Sequence, residues 1–123
     1  NKKGSMIFIS SIYGILAPDQ RIYKSQNFKT LAGYSSSKAG LIGLSKWLAT
    51  NFAKYKIRVN TIVPGGIQAG QNKRFIKNYS NRVPIGRMAK KHEINGILAY
   101  LISEDSTYVT GQEFIVDGGL SAW

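Results

Sequence analysis

The chain's 123 residues suffice for one modest domain. They include no Cys, which excludes disulfides and thiolate sites and fits a reducing compartment such as the cytoplasm; they also include no apolar run of about 18 residues, so no transmembrane helix is expected. Seventeen Lys and Arg against 6 Asp and Glu leave a net charge of +11, which admits nucleic acid, an anionic membrane surface or phosphorylated small molecules as partners.

The chain begins at Asn1 rather than Met and enters an apolar run almost at once, the expected sign of a piece lacking its front. Met6-Ile7-Phe8-Ile9-Ser10 has the continuous pattern of a strand buried on both faces, as in a parallel sheet. Residues 12–33 hold no period; Gly14, Pro18, Asp19, Asn27 and Gly33 punctuate a long loop. Residues 34–55 are helical in pattern, with Leu41, Leu44, Leu48, Phe52 and Tyr55 on one face and Ile42 and Trp47 adding apolar surface elsewhere. Gly40 and Gly43 each weaken that helix by roughly 1 kcal/mol relative to Ala, which predicts a neighbouring backbone at close range. Ile57 to Val63 reads as a second strand, stopped by Pro64-Gly65-Gly66. Residues 67–84 read as cationic loop with some helix. Residues 93–103 read as a short helix with Ile94, Ile97, Leu98 and Leu101 inside, and Gln112 to Val116 as a third strand closed by Asp117-Gly118-Gly119.

This alternation predicts an α/β fold: a doubly wound parallel sheet with right-handed crossovers and helices on both faces. Ligands of such sheets sit beyond the carboxyl ends of the strands. Ser11 and Pro64-Gly65-Gly66-Ile67 fall just past two such ends, and Tyr34 starts a helix at the same edge if the long loop stays there.

In Tyr34-Ser35-Ser36-Ser37-Lys38 a phenol and an ammonium lie one helical turn apart. A phenol normally holds its proton to about pH 10, and a nearby ammonium favours the phenolate, so the pair can serve as an acid/base group. The spacing alone is common. Ser11 equally suits a plain strand end, Lys38 a solvated helix position and Pro64-Gly65-Gly66 a simple turn. Asn60 suits backbone support, and Trp47 and Phe52 suit core or subunit contact. His92, the only His, has no companion cluster for a metal and is expected exposed.

The succession ISS, YSSSKAGLIGLSKWLA, IRVNTIVPGGI and YVTGQEFIVDGG closely resembles the C-terminal half of a short-chain dehydrogenase/reductase, from Gly4 to Gly119. Residues 1–123 would then be a single partial Rossmann-type domain without its N-terminal half. Within the family, the GGI, KNY and GRMAK stretches and the final Trp123 are most similar to reductases of flagellin modification and nonulosonic acid pathways. The resemblance implies an oxidoreductase that interconverts a carbonyl and a secondary alcohol with NAD or NADP, working as a homodimer or homotetramer. It implies that Ser11 hydrogen-bonds the substrate oxygen, that Tyr34 is the proton donor or base, and that Lys38 favours the phenolate and binds the nicotinamide ribose. It implies that the backbone from Pro64 through Gly65 and Gly66 to Ile67 lies along the nicotinamide.

Four features depart from the family pattern. No Gly-x-x-x-Gly-x-Gly occurs among the 13 glycines, and the family's catalytic Asn would lie upstream. Ala69 stands where a Thr often touches the pyrophosphate. Ser11 and Tyr34 are unusually far apart, with the extra length in residues 17–30, where it could shape the substrate pocket. The fragment alone is therefore expected to be inactive. Between Ile67 and Lys91 the cations Lys73, Arg74, Lys77, Arg82, Arg87, Lys90 and Lys91 occur without an acid. By resemblance this is the substrate lid, which predicts an anionic small-molecule substrate such as a sugar phosphate or nucleotide sugar. The charge also allows a polyanion-binding module or an inactive relic of the enzyme, but no zinc finger, RNP-like strand or recognition-helix pattern appears, and neither nucleic acid nor membrane is the expected partner.

Overall fold

A computed structural model describes residues 3–24 and 29–123. Asn27, one of the loop markers, and part of the extra length before Tyr34 lie outside the described residues. Three strands form one sheet in the order β1-β2-β3, all parallel: β1 is Gly4–Ile9, β2 is Ile57–Pro64 and β3 is Glu113–Val116. The helices are α1, Ala32–Phe52, α2, Lys73–Ser80, and α3, Asn95–Ile102. No helix among the described residues is long and apolar enough to cross a membrane.

β2 is the centre of the sheet. Its β-branched residues from Val59 onward are all buried, and Pro64 ends it where a strand can do without a further N–H. β1, expected to be buried on both faces, is half exposed: among the described residues only β2 pairs with it, and Met6 and Ile9 reach solvent.

The register sorts the side chains onto two faces. Thr61 Oγ1 donates to Ser45 Oγ of α1 at 2.7 Å, and Lys46 of α1 pairs with Glu113, the strand neighbour of Thr61, at 2.6 Å. α1 therefore covers the face of Val59, Thr61 and Val63. On the other face, Ser5 Oγ donates to the Leu101 carbonyl of α3 at 2.7 Å, and the Arg58 guanidinium donates to the same carbonyl at 2.8 Å. Helices thus lie on both faces, as expected. Because β1, β2 and β3 advance in one direction, the two crossovers have opposite hands, and only one can follow the right-handed rule. The second connection, from β2 to β3, carries α2 over the carboxyl edge before α3 returns, so it is not the short packed unit from which the rule derives.

The inner face of α1 also differs from the expected stripe. Ile42, Ser45 and Ala49 are its buried residues, while Leu44, Trp47 and, just past the helix, Tyr55 are exposed. Small side chains let α1 sit close on β2. A Cβ added at Gly40 or Gly43 meets nothing within 4 Å, so among the described residues no backbone approaches them at close range. Asn60, fully buried, donates to the Val109 carbonyl and accepts from the Gln112 N–H, fixing the entry to β3.

Candidate active site

β1 ends at Ile9, and the two serines that follow have separate tasks. Ser10 Oγ donates to the Lys38 carbonyl at 2.7 Å, which ties the strand end to α1. Ser11 caps a 3-10 turn, Ile12–Gly14, by accepting the Tyr13 N–H at 3.2 Å, and its side chain borders the cleft. The turn presses on α1 at Gly14, where a Cβ would stand 2.9 Å from the Lys38 carbonyl carbon. Lys38 completes the joint: its Nζ donates to the Ile9 carbonyl at 3.1 Å and lies 5.7 Å from the centre of the Tyr34 ring. Tyr34 opens onto solvent from the first turn of α1.

Ser11, Tyr34, Pro64, Gly65, Gly66 and Ile67 line one cleft of about 740 Å³ at the carboxyl edge of the sheet. Lys38 supports it from beneath. The far wall is aromatic: Tyr23 stacks obliquely on Phe75 at 5.2 Å, and Phe75 on Tyr79 at 6.1 Å. Tyr13, Tyr23, Thr30 and Leu31 show that the long segment before Tyr34 does shape the cleft. Asp19 anchors that segment. Its carboxylate takes two bonds from Arg21 at 2.9 Å and lies 3.7 Å from Arg82 beyond α2; the Arg21 hydrogen bond, above all, brings its pKa down to about 2.

Four tyrosines meet here, and their surroundings separate them. Burial pushes the Tyr13 phenol up, aided by the hydrogen bond from Tyr23 at 3.1 Å. Burial also raises Tyr79, whose hydroxyl accepts the Gly66 N–H at 2.6 Å. Both stay protonated near neutrality and are already engaged. Tyr34 is the cleft tyrosine with a lysine one turn away on its own helix.

The turn after β2 is held on two sides. Ala89 N–H donates to the Gly66 carbonyl at 2.9 Å and the Ala89 carbonyl accepts from Gln68 N–H at 2.8 Å. Gln71 Oε1 accepts the Ala69 N–H at 2.7 Å and Gln71 Nε2 donates to the Ile67 carbonyl at 3.0 Å. A Cβ at Gly66 would stand 2.6 Å from the Tyr79 ring, so glycine alone lets ring and turn meet. Among N–H groups of residues 66–69, only that of Ile67 has no partner among the described residues. This donor, beside the cleft, suits a carbonyl acceptor such as a nicotinamide carboxamide.

The cations expected on the lid are placed differently from the other site residues. Lys73, Arg74 and Lys77 lie on the exposed side of α2, whereas Phe75 and Tyr79 point inward. Arg82 is near Asp19, and Arg87 grips Glu93 with two bonds of 2.7 and 2.6 Å. Lys29 is the one Lys or Arg on the cleft lining among the described residues. His92 is exposed, and among the described residues no group of three His, Cys, Asp or Glu could hold a metal. Ser10, Gly14, Gln71 and Tyr79 were not legible as site residues. Phe75 and Tyr79 left one signal, two aromatics four apart in a helix whose other apolar residue is Ile76.

A family model described as enoyl-(acyl carrier protein) reductase matches residues 1–121. Post-translational flagellin modification protein A of Campylobacter coli is 37% identical over 94% of this chain and 45% of its own. The ribulose-forming D-arabinitol 2-dehydrogenase of Candida albicans is 37% identical over 100% of this chain and 44% of its own. The crystal structure of a short chain dehydrogenase from Leptospira borgpetersenii with bound NAD+ superposes with a TM-score of 0.91 at 42% identity, covering 98% of this chain and 45% of that one. The chain thus spans about half the length of the relatives it matches.

Proposed function

Because the chain belongs to the short-chain dehydrogenase/reductase family, we propose that the full-length protein interconverts a carbonyl and a secondary alcohol with NAD or NADP. The observation that supports this reading is the meeting of Ser11, Tyr34 and the residue 64–67 turn around one cleft, with Lys38 behind Tyr34. When bound, the dinucleotide supplies or accepts the hydride. Ser11 Oγ donates to the substrate oxygen and stabilises the charge that builds there. Tyr34 donates the proton that turns this oxygen into a hydroxyl, and in oxidation it removes that proton. Lys38, anchored on Ile9, provides the fixed positive charge beside Tyr34 and would hold the ribose hydroxyls of the dinucleotide.

The residues present fit the nicotinamide end of the cofactor. The glycine-rich turn for the pyrophosphate does not occur in this sequence. Hence the 123-residue chain by itself is inactive, and the experiment compares it with the full-length protein. The full-length protein is expected to consume NADH or NADPH with a panel of ketones and to scatter light as a dimer or tetramer, with the exposed Leu44 and Trp47 face of α1 as the contact. Lack of dinucleotide turnover across the panel would overturn the enzyme reading, and a monomer mass the oligomer.

The narrower reading is an anionic substrate, a sugar phosphate or nucleotide sugar. Lys73, Arg74 and Lys77 face outward, so their effect is to raise the local concentration of an anion and not to grip it. Reversing Arg74 and Lys77 to Glu should raise KM for a phosphorylated substrate by roughly tenfold at low ionic strength and less as salt rises. KM for its unphosphorylated counterpart should hold. Equal KM changes for both, or none, would remove these charges from substrate choice.

A further inference from the structure

The turn after β2 spends nearly all its backbone N–H groups on the protein. Gly66 uses its N–H on Tyr79 and its carbonyl on Ala89, and Gln68 uses its N–H on the Ala89 carbonyl. These bonds hold one edge. The other edge is held by a single side chain, the Gln71 amide, which takes the Ile67 carbonyl and the Ala69 N–H at once. Its two partners flank Gln68, so the amide closes a ring over the turn and fixes the direction of the chain directly after Ile67. Gly70 gives the chain the left-handed step, φ 88°, that brings Gln71 back over the residues before it. Ala69 has no polar side chain to do this work. The next residue, Asn72, caps α2 by accepting the Phe75 N–H at 2.8 Å, so the strap stands where the turn becomes the lid helix.

We infer that Gln71 is a positioning residue for the dinucleotide: its amide straps residues 67–69 and thereby aims the Ile67 N–H at the carbonyl of the nicotinamide carboxamide. The inference rests on the proposed placement of the nicotinamide along residues 64–67. It asks more of Gln71 than stability, because the strap holds the backbone directly after the Ile67 N–H, the one donor of residues 66–69 without a partner among the described residues, while Ala89 holds the Gly66 carbonyl directly before it, and Gln71 also borders the cleft. An amide is the side chain that can both accept from one backbone group and donate to another at this spacing. A carboxylate keeps the acceptor for Ala69 N–H and places a charge against the Ile67 carbonyl. An alanine leaves both backbone groups to water and the turn held along one edge alone.

The test uses the full-length protein with Gln71→Ala and Gln71→Glu. Binding of NADH, NADPH and ADP-ribose is titrated for each by fluorescence or calorimetry, and the melting temperature of the unliganded protein is recorded. ADP-ribose shares the ribose and diphosphate but has no nicotinamide. Gln71→Ala is expected to weaken the preferred reduced dinucleotide about tenfold, the equivalent of losing two ordinary hydrogen bonds' worth of orientation. Gln71→Glu should weaken it at least as much. ADP-ribose affinity and melting temperature should stay near the wild-type values. Equal loss for dinucleotide and ADP-ribose would make Gln71 a structural residue only, and unchanged or tighter dinucleotide binding would overturn the inference outright. A wild-type protein that binds neither NADH nor NADPH would instead refute the proposed function on which the inference stands.

Discussion

Tyr34→Phe in the full-length protein should lower kcat by at least about a hundredfold, the lower range for removing a positioned general acid. Dinucleotide affinity should stay within about twofold, since Phe keeps the ring against which Lys38 Nζ rests at 5.7 Å and removes only the hydroxyl. No neighbouring phenol can take over. Tyr13 and Tyr79 are pushed up by burial, and their hydroxyls are engaged with Tyr23 and with the Gly66 N–H. KM for the carbonyl substrate should change less than kcat, because the lost interaction belongs to the transition state. Near wild-type turnover in Tyr34→Phe would sink the assignment of the acid.

Gly14→Ala should be nearly as damaging, although Gly14 does no chemistry. The new Cβ would stand 2.9 Å from the Lys38 carbonyl carbon, 3.0 Å from its oxygen and 3.0 Å from Ser10 Oγ. Two of these are backbone atoms of α1 and cannot swing aside. The 3-10 turn must then lift off the helix and stretch the Ser10–Lys38 bond, now 2.7 Å. Overpacking of this kind costs about 1–3 kcal/mol of stability. Ser11 rides on the turn and Tyr34 on the helix, so their separation changes too, and a misplacement near 1 Å can cost about a hundredfold in rate. Thermal unfolding and kcat measured together check this. Gly96→Ala in α3, where an added Cβ meets nothing within 4 Å, is the control and should leave both nearly unchanged. A fully active, equally stable Gly14→Ala enzyme would show that the joint between the turn and α1 is looser than its distances imply.

The sheet was legible because each strand is an apolar run with a hard stop, Ser10-Ser11, Pro64-Gly65-Gly66 or Asp117-Gly118-Gly119. Of the candidate site, the sequence singled out Ser11, Tyr34 and Lys38, which the structure gathers at one edge of the sheet; their chemical roles are part of the proposal. The buried stripe of α1 was misread, because a count of apolar residues favours Leu41, Leu44 and Leu48, whereas the surface against β2 uses Ile42, Ser45 and Ala49. Small and polar residues sit inside there since Ser45 and Thr61 satisfy each other. Gln71 and Gly14 act through backbone groups distant in sequence or held by a turn, and a linear pattern does not record those. The lid cations were visible as charge, but which side of α2 they occupy depends on where Phe75 and Tyr79 find their apolar partners.

Neither ladder of the sheet can begin as a hairpin. Gly4 faces Ile57 and Thr61 faces Glu113, so each pairing closes a loop of about fifty residues. Such non-local contacts must be formed before they yield any ladder bonds, which places the fold among the slower ones for its size. α1 can grow locally in the meantime, and its docking on β2 through Ser45 and Thr61 is the natural first long-range event. Until β3 arrives, β2 leaves the edge opposite β1 open, and a growing chain in that condition is a target for chaperones and a seed for aggregation. Amides of β3 should accordingly exchange with solvent sooner than those of β2, and the roof of the cleft, which follows β2 in the chain, should be the last part of the site to become rigid.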